Sequence, residues 1–483
     1  MKIDIIMKKF RGLTALLLLF LLSFPIAAQR QARTPGAGAG PQRADVLILG
    51  GTIVTMDGER RVIDDGGIAV VKGKIAAVGK RSDISRKFSA ARSVNAAGKV
   101  IIPGLINTHT HVPMSLFRGI ADDLDLQEWL TKFIFPAEAK NVDEAFVRAG
   151  TRLGLAEMIR GGTTTYCDMY YFEDAIADES KKAGVRGVLG ETILDFPAPD
   201  NKTFEAGLAY TERFIRKWQG DGLIVPAVAP HAPYTVSAEH LMDARRLSDR
   251  LNAPLVIHLA EANTETEFIQ QKHKGMRPIG FVESIGFLSD KTIAAHVIQA
   301  NESELDILKR RGVGVAHNPQ SNMKLAAGVA PVISMLKRDI PVGLGTDGAA
   351  SNNDLNMWEE MDTAAKLQKL SSGDPKALPA ETAFEMATIR GARALHMQDM
   401  IGSLETGKLA DLVIMDIDDL NQTPSYNIYS TLVYSTKANH VRSVMINGRF
   451  VMIDRRLLTL DENAIKKDAN AYRLKIINSL SHK

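Results

Sequence analysis

The sequence predicts a (β/α)8 TIM barrel combined with a small β-sandwich domain that is built from the N- and C-terminal segments. Three observations indicate this α/β fold class. Apolar strand-like runs alternate with helical patterns through the middle of the chain, glycine-punctuated β-type runs occur at both ends, and polar residues recur where the predicted barrel strands end. With 483 residues, 45% of them hydrophobic, the chain is long enough for one large domain or two unequal ones.

The predicted barrel occupies residues 104–401 and takes its eight strands from apolar runs. These runs are VIIPGLINTH, GTTTYCDM, VRGVLGET, IVPAVAP, PLVIHLA, TIAAHV, GVGVAHN and PVGLGTD. Helical patterns lie between them, for example over Val142–Arg160, Ala238–Leu251, Glu302–Arg311 and Leu355–Leu370. A doubly wound open sheet is the alternative, but it would normally carry a glycine fingerprint at its first turn, and the sequence has none there.

Short β-type runs flank the barrel on both sides. Residues 43–103 contain VLILGGTIVTM, GIAVVKGKIAAVG and RSVNAAGKVIIPG, with glycines where hairpins would turn. Residues 402–483 add GKLADLVIMDI and HVRSVMINGRFVM, followed by a helix. We therefore expect one β-sandwich domain that both ends of the chain complete.

The first 28 residues have the build of a signal peptide, with basic residues ahead of an apolar run at Leu13–Leu22. Residues 29–42 are rich in Gly, Pro and Ala and are predicted to be a linker. We expect an exported protein, periplasmic or secreted, with no membrane anchor after cleavage. An uncleaved leader that tethers the protein to a membrane is the alternative.

The charge of the chain excludes some classes of partner. The formal net charge is +3, and the leader alone accounts for it with four basic residues and one acidic residue. The rest is close to neutral, so we expect a small-molecule substrate and no nucleic acid. Cys167 is the only cysteine, which excludes an internal disulfide. The oligomeric state stays open, a homo-oligomer included.

Polar residues stand at the ends of the predicted barrel strands, where barrel enzymes place their catalytic groups. In strand order these residues are His109, His111, His231, His258, His296, His317 and Asp347. Residues i and i+2 of a strand point to the same face, so His109 and His111 can bind one ion together. Each histidine alone fits an ordinary buried or loop residue, whereas the joint pattern indicates a metal site.

Three imidazoles and a carboxylate, from His109, His111, His258 and Asp347, can hold a metal ion and leave a position open for water. This ligand set favours zinc, and Fe²⁺ or Mn²⁺ are bound by the same ligand types. We expect one ion, because the middle-strand segments VLGET and VAPHAP lack a lysine that could bridge two ions as a carboxylated side chain.

Proton transfer needs an acid or a base positioned beside the reacting centre. Glu261 follows His258 by three residues and is a candidate proton shuttle, with a solvated loop acid as the alternative. Asp347 could also accept a proton from the attacking water. His296 could polarise the reacting centre.

These motifs resemble the metal-dependent amidohydrolase superfamily, and within it the deaminases of S-adenosylhomocysteine and methylthioadenosine, which are relatives of triazine hydrolases and guanine deaminases. The segments that carry the resemblance are PGLINTHTHVPMSLFRG, GGTTTYCDMY, APHAPYTVS, IHLAE, AAHV, HNPQSNMKLA, GTDGAASNNDLNMWEE and GSLETGKLADLVIMD. The resemblance implies a zinc-dependent hydrolytic deaminase that releases ammonia from an adenine nucleoside such as S-adenosylhomocysteine, methylthioadenosine or adenosine.

The resemblance also implies a role for each matching residue. The implied zinc ligands are His109, His111, His258 and Asp347. The implied catalytic residues are Glu261, which protonates the ring nitrogen, His296, which lies near the departing group, and Asp347. The implied substrate contacts are Glu138 with the ribose hydroxyls, Trp129 over the base, and His231 and Ser351 in the pocket.

Two other functions are compatible with this sequence. One is a hydrolase of a different ring, such as a triazine, guanine, a pterin or a cyclic amide, which would use the same metal site. The other is a non-catalytic barrel that binds or assembles, which the loss of a ligand or of the acid would indicate. The sequence retains all of these residues.

The segment GETILDFPAPDNK, after the third predicted barrel strand, departs from the resemblance. Some nucleoside deaminases of the family carry arginines there that hold the ribose or an amino-acid tail. This chain has Glu191, Asp195 and Asp200 instead. An acidic mouth would repel a homocysteine carboxylate unless Arg118 or Arg277 compensates.

Overall fold

Seventeen β-strands, grouped in two sheets, organise residues 40–481, which are the residues that the computed structural model describes. The predicted signal peptide and most of the predicted linker lie outside the described residues, and the first strand begins at Gln42. In chain order the strands are β1 (Gln42–Val54), β2 (Val62–Val71), β3 (Lys74–Lys80), β4 (Phe88–Asn95), β5 (Lys99–Pro103), β6 (Leu105–Thr110), β7 (Thr163–Tyr170), β8 (Arg186–Ile193), β9 (Ile224–Pro230), β10 (Leu255–Leu259), β11 (Thr292–His296), β12 (Gly314–His317), β13 (Val342–Leu344), β14 (Leu412–Asp416), β15 (Val441–Ile446), β16 (Arg449–Ile453) and β17 (Arg456–Leu457).

Eight of these strands form the near-closed parallel barrel, in the unbroken order β6 to β13. A doubly wound sheet would reverse direction at a switch point, so this order excludes the alternative topology. The barrel nearly closes where the segment after β13 meets β6, since the Asp347 backbone N–H donates to the His109 carbonyl at 2.9 Å. A Cβ atom at Gly345 would lie 2.8 Å from the backbone nitrogen of His109, so the two segments can come this close only with a glycine at position 345.

The other nine strands form a separate mixed sheet in the order β17-β16-β15-β14-β5-β1-β2-β3, with β4 beside β1. Strands from both ends of the chain meet where β14 pairs antiparallel with β5. Together the barrel and this sheet confirm the predicted fold class. The apolar run VIIPGLINTH, predicted as one strand, is divided at Gly104 into β5 of the mixed sheet and β6 of the barrel. A Cβ atom at Gly104 would lie 2.0 Å from Thr164 Oγ1, so only glycine fits there.

The α-helices lie mainly between the barrel strands. They are α1 (Arg81–Lys87), α2 (Leu126–Glu128), α3 (Phe135–Asn141), α4 (Glu144–Gly161), α5 (Glu173–Ala183), α6 (Phe204–Trp218), α7 (Ala238–Leu251), α8 (Asn263–Lys272), α9 (Pro278–Ser284), α10 (Glu302–Arg311), α11 (Pro319–Lys324), α12 (Val332–Lys337), α13 (Ala349–Asn352), α14 (Met357–Ser372), α15 (Ala380–Met386), α16 (Ile389–Ala394), α17 (Ile428–Ser430) and α18 (Glu462–Ser481). A π-helical segment, Trp129–Ile134, connects α2 to α3. Within residues 40–481, none of the helices has the length and apolar character needed to cross a bilayer.

Helix boundaries follow the capping residues. Helices α7 and α10 have the predicted bounds. Helices α4 and α14 each begin two residues later than predicted. The reason is that Asp143 and Asn356 accept hydrogen bonds from backbone N–H groups as N-caps, which fixes the first turn after them.

A buried ion pair joins the barrel to the mixed sheet. Arg186 begins β8, and its guanidinium lies 3.1 Å from the carboxylate of Asp411, which directly precedes β14; the two side chains are 1% and 3% exposed. The same guanidinium donates to the Gly222 carbonyl at 2.9 Å, and Asp411 accepts from the Asn447 N–H at 2.6 Å. The pair is therefore hydrogen-bonded on both sides, which offsets the cost of desolvating two charges.

We expect Arg186→Met to destabilise the protein by about 3–5 kcal/mol, because it leaves the Asp411 carboxylate buried without its partner. The control is Arg86→Gln, which removes an exposed pair with Asp83 and should cost no more than about 1 kcal/mol. Unfolding in a denaturant measures both variants. Equal shifts of the two midpoints would contradict the role of the buried pair.

Candidate active site

Two backbone carbonyls orient the imidazoles of His111 and His258. His111 Nδ1 donates to the Met169 carbonyl at 2.6 Å, and His258 Nδ1 donates to the His231 carbonyl at 2.9 Å. Both rings therefore direct Nε2 towards the centre of the site, where the two Nε2 atoms lie 3.3 Å apart. Two nitrogen lone pairs repel each other at this distance unless a proton or another cation lies between them.

Asp347 faces these imidazoles with one oxygen. Its Oδ1 lies 3.4 Å from His109 Nε2 and 3.3 Å from His111 Nε2. Its Oδ2 accepts hydrogen bonds from the hydroxyl groups of Ser321 at 2.6 Å and Ser351 at 2.8 Å. The two serines therefore fix the carboxylate so that Oδ1 stays among the imidazoles.

The donor set fits a metal ion. His109 is 1% exposed, and neither of its ring nitrogens has a hydrogen-bond partner among the described residues. Two overlapping groups of possible ligands, His109–His258–His296 and His109–His111–Asp347, bring one donor atom per residue within 4.8 Å of one another. Buried polar atoms without partners are costly, and a bound cation would satisfy several of them at once.

Burial and charge set the protonation of these groups. Burial lowers the pKa of His109 to about 4 and lowers the pKa of His258 well below its ordinary value, so both are neutral, the form that binds metals. Burial opposes ionisation of Asp347, yet the imidazoles of His109 and His111 hold the pKa of this carboxyl well below its usual range. Burial also acts to lower the pKa of His111, but Asp347 raises it to about 9, so an incoming ion must displace a proton there.

Glu261 and His296 lie side by side next to this set. Glu261 follows β10, is 5% exposed, and its Oε1 lies 3.5 Å from Nε2 of His296, the last residue of β11. Burial raises the pKa of Glu261. On the other side of the His296 ring, Nδ1 lies 3.0 Å from Asn322 Oδ1. The arrangement places a buried carboxyl group with a raised pKa beside the donor set.

These polar groups form one side of a cavity whose other walls are mostly aromatic or aliphatic. The apolar and aromatic residues that line it are Met114, Leu126, Trp129, Leu130, Ile134, Phe135, Met169, Tyr170, Tyr171, Tyr234 and Leu325. The segment 126–138, which includes the π-helical turn, supplies six of its lining residues. An apolar cleft with a few convergent polar groups is the usual form of a small-molecule site.

Three of the four predicted substrate contacts line this cavity: Trp129, Glu138 and His231. Glu138 is buried and accepts a hydrogen bond from the Tyr170 hydroxyl at 2.7 Å, and burial raises its pKa to about 7. The fourth, Ser351, is 1% exposed, lies behind Asp347 and is not among the lining residues. Its contacts are with the carboxylate and with the Gly348 carbonyl.

Sequence reasoning missed several residues of the site. Tyr170 is the last residue of β7 and Tyr171 directly follows it, and this strand-end position was their available signal. Ser321 lies in HNPQSNMKLA, but no pattern indicates that its hydroxyl reaches Asp347. Conversely, His317 ends β12 and does not line the cavity, and its ring nitrogens have no hydrogen-bond partner among the described residues.

Two acidic residues of the segment GETILDFPAPDNK, Glu191 within β8 and Asp195 after it, are engaged in local contacts. Glu191 is fully buried and accepts from the Glu173 N–H and the Asn201 amide, each at 3.0 Å. Asp195 lies 2.7 Å from His240 Nδ1. Neither residue lines the cavity, so the acidic mouth expected from the sequence is not formed by these two side chains.

Arg118 and Arg277, the two arginines that could have balanced this negative charge, form ion pairs outside the cavity. Arg118 contacts the carboxylate of Glu157, and Arg277 lies 3.0 Å from Glu304. Neither guanidinium lines the cavity.

Comparison with known proteins finds relatives along most of the chain. The profile of the amidohydrolase family matches residues 100–451. The 5-methylthioadenosine/S-adenosylhomocysteine deaminase of Syntrophobacter fumaroxidans is 48% identical over 410 residues, covering 85% of this chain and 93% of that protein. The protein of the same name from Thermodesulfovibrio yellowstonii is 45% identical over 399 residues, covering 82% and 90%.

Solved structures agree with these matches. An adenosine deaminase from Xanthomonas campestris with bound zinc superposes with a TM-score of 0.89 at 38% identity, covering 91% of this chain and all of that one. A triazine hydrolase variant superposes with a TM-score of 0.82 at 24% identity, covering 89% and 99%, and this match supports the fold alone.

We expect Ser321→Ala to weaken Zn²⁺ binding about 10- to 100-fold, because Ser321 orients the Asp347 carboxylate. The control is Ser289→Ala, which removes another buried serine whose hydroxyl lies near Thr292. Competition with a chromophoric chelator measures the affinity. Unchanged affinity in Ser321→Ala would contradict the orienting role.

Proposed function

The chain belongs to the amidohydrolase family, and from this premise we propose that it is a zinc-dependent hydrolytic deaminase of adenine nucleosides. The observation that carries the proposal is the position of the buried carboxyl group of Glu261, beside His296 and the metal-binding set, on one side of an aromatic cavity. The similarity to proteins named as methylthioadenosine, S-adenosylhomocysteine and adenosine deaminases supports this reaction class.

His109, His111, His258 and Asp347 would hold one zinc ion, and His296 lies close enough to belong to the same centre. When bound, the ion supplies a Lewis acid that lowers the pKa of a water molecule towards neutrality. Fe²⁺ and Mn²⁺ use the same ligand types and are the alternatives.

Asp347 and Glu261 have opposite roles in proton transfer, one as the acceptor and the other as the donor. The pKa of Asp347 is held low, so its carboxylate is ionised and accepts the proton of the attacking water. The pKa of Glu261 is raised by burial, so its carboxyl group can donate a proton to the ring nitrogen next to the attacked carbon. The water oxygen adds to C6, and the proton held by Asp347 passes to the amino group. The C–N bond then breaks with release of ammonia, and the remaining hydroxyl proton returns to the Glu261 carboxylate as the C6 carbonyl forms.

The remaining residues bind and orient. His296 is held by Asn322 and faces Glu261, so it can orient the attacking water and contact the departing amino group. Glu138 would accept the ribose hydroxyls, and Trp129 would cover the base. His231, whose Nδ1 lies 2.9 Å from the Thr235 hydroxyl, forms part of the wall. The contacts of Ser351 support a positioning role, through Asp347.

Ammonia release tests the proposal directly. We expect the purified zinc-loaded enzyme to release one ammonia per inosine-type product from methylthioadenosine and adenosine, because the site combines a water-activating centre with a proton donor. A coupled ammonia assay and the change in purine absorbance measure the reaction. Turnover of guanine, a pterin or a triazine with no turnover of any adenine nucleoside would contradict the nucleoside assignment.

Substitution separates metal binding from proton transfer. We expect Glu261→Gln to keep its zinc and to lose turnover by about 10²- to 10⁴-fold, because the amide cannot donate an acidic proton. His258→Ala should lose the zinc itself. Metal analysis and kcat measure the two effects, with Glu267→Gln, at an exposed glutamate of helix α8, as the matched control. Full activity in Glu261→Gln would overturn the proton-donor role.

A further inference from the structure

We infer that the cavity selects adenine nucleosides whose 5′ substituent is short and uncharged, and that it discriminates against an amino-acid tail. The inference rests on the proposed function and concerns the same cavity. It distinguishes between substrates that the names of the relatives group together.

The charges of the cavity wall are the first argument. Among its described lining residues there is no lysine or arginine, and the carboxyl groups belong to Glu138, Glu261 and Asp347. An amino-acid tail ends in a carboxylate and an ammonium group. The ammonium could pair with Glu138, but the carboxylate would be desolvated without a cation, which strongly disfavours binding.

The pairing of three nearby cations, Lys324, Arg118 and Arg277, is the second argument, because each of them already has an anionic partner. Lys324 directly precedes the lining residue Leu325, and its ammonium group lies 2.5 Å from Asp122 Oδ1. Arg118 and Arg277 are paired with Glu157 and Glu304. Moving any of these side chains to a ligand would leave its present carboxylate without its partner.

The composition of the wall is the third argument. Leu126, Leu130, Ile134 and Phe135 all come from one segment and offer only hydrocarbon to the cavity. A methylthio group or a short alkylthio group gains by burial against such a surface, and sulfur also packs favourably against aromatic rings. The wall therefore suits an uncharged thioether.

A series of substrates separates the charge of the tail from its length. Methylthioadenosine, 5′-butylthioadenosine, 5′-(3-aminopropylthio)adenosine and S-adenosylhomocysteine are compared by kcat/KM on the zinc-loaded enzyme. We expect butylthio and methylthio substrates to agree within about tenfold and S-adenosylhomocysteine to fall below the butylthio compound by on the order of a hundredfold. S-adenosylhomocysteine within tenfold of the butylthio compound would overturn the inference.

The series also distinguishes this inference from the proposed function. If no adenine nucleoside reacts, both the deaminase proposal and this inference fail. If the uncharged nucleosides react and S-adenosylhomocysteine reacts equally well, the inference alone fails.

Adding a cation at the rim tests the cause. Phe196 is 38% exposed, and its ring centre lies 5.8 Å from that of the lining residue Phe135. We expect Phe196→Arg to raise the ratio of kcat/KM for S-adenosylhomocysteine to that for methylthioadenosine at least about tenfold, with Phe196→Gln as the control. An unchanged ratio in Phe196→Arg would overturn the claim that a missing cation sets the selectivity.

Lys324→Gln tests the rival explanation, in which Lys324 leaves Asp122 to bind the tail carboxylate. We expect the same substrate ratio as in the unmodified enzyme. A selective loss of S-adenosylhomocysteine turnover in this variant would overturn the inference.

Discussion

The site depends on buried side chains whose outer polar atoms are held by hydrogen bonds while their inner atoms converge on one point. Carbonyl groups hold the far nitrogens of His111 and His258, and two serine hydroxyls hold the far oxygen of Asp347. The near atoms of these side chains converge with those of His109 within a few ångströms. Because the protein has already paired the outer atoms, the inner ones are left to hold a cation, should one bind.

The backbone bends sharply where it presents these groups. Ala260, His296, Val297 and Asp347 all have positive φ, between 50° and 72°, and lie at or shortly after the ends of barrel strands. Non-glycine residues rarely adopt this conformation, and it persists where surrounding structure holds it. The turns after β10, β11 and β13 bring Glu261, His296 and Asp347 to the same end of the barrel. Local strain of this kind is common where a side chain must be aimed at a ligand.

Periodicity and strand-end position predicted the barrel, but they could not supply contacts between distant segments. The run VIIPGLINTH is apolar throughout, so its division between two sheets depends on the contacts around Gly104, which sequence patterns do not record. Helices α4 and α14 start after the N-caps Asp143 and Asn356, and these capping contacts, not the apolar pattern, set where the helices begin. The Ser321 and Ser351 contacts with Asp347 and the Tyr170 contact with Glu138 join separate loops, and only the fold brings them together.

In the proposed mechanism, one metal ion held by the imidazoles and Asp347 activates the water, and Glu261 donates the proton to the ring nitrogen. The most direct measurement is a titration of metal-free enzyme with Zn²⁺ while ammonia release from methylthioadenosine is followed. We expect activity to rise in proportion to added zinc and to stop rising at one equivalent per chain. Full activity without metal, or saturation only at two equivalents, would contradict it.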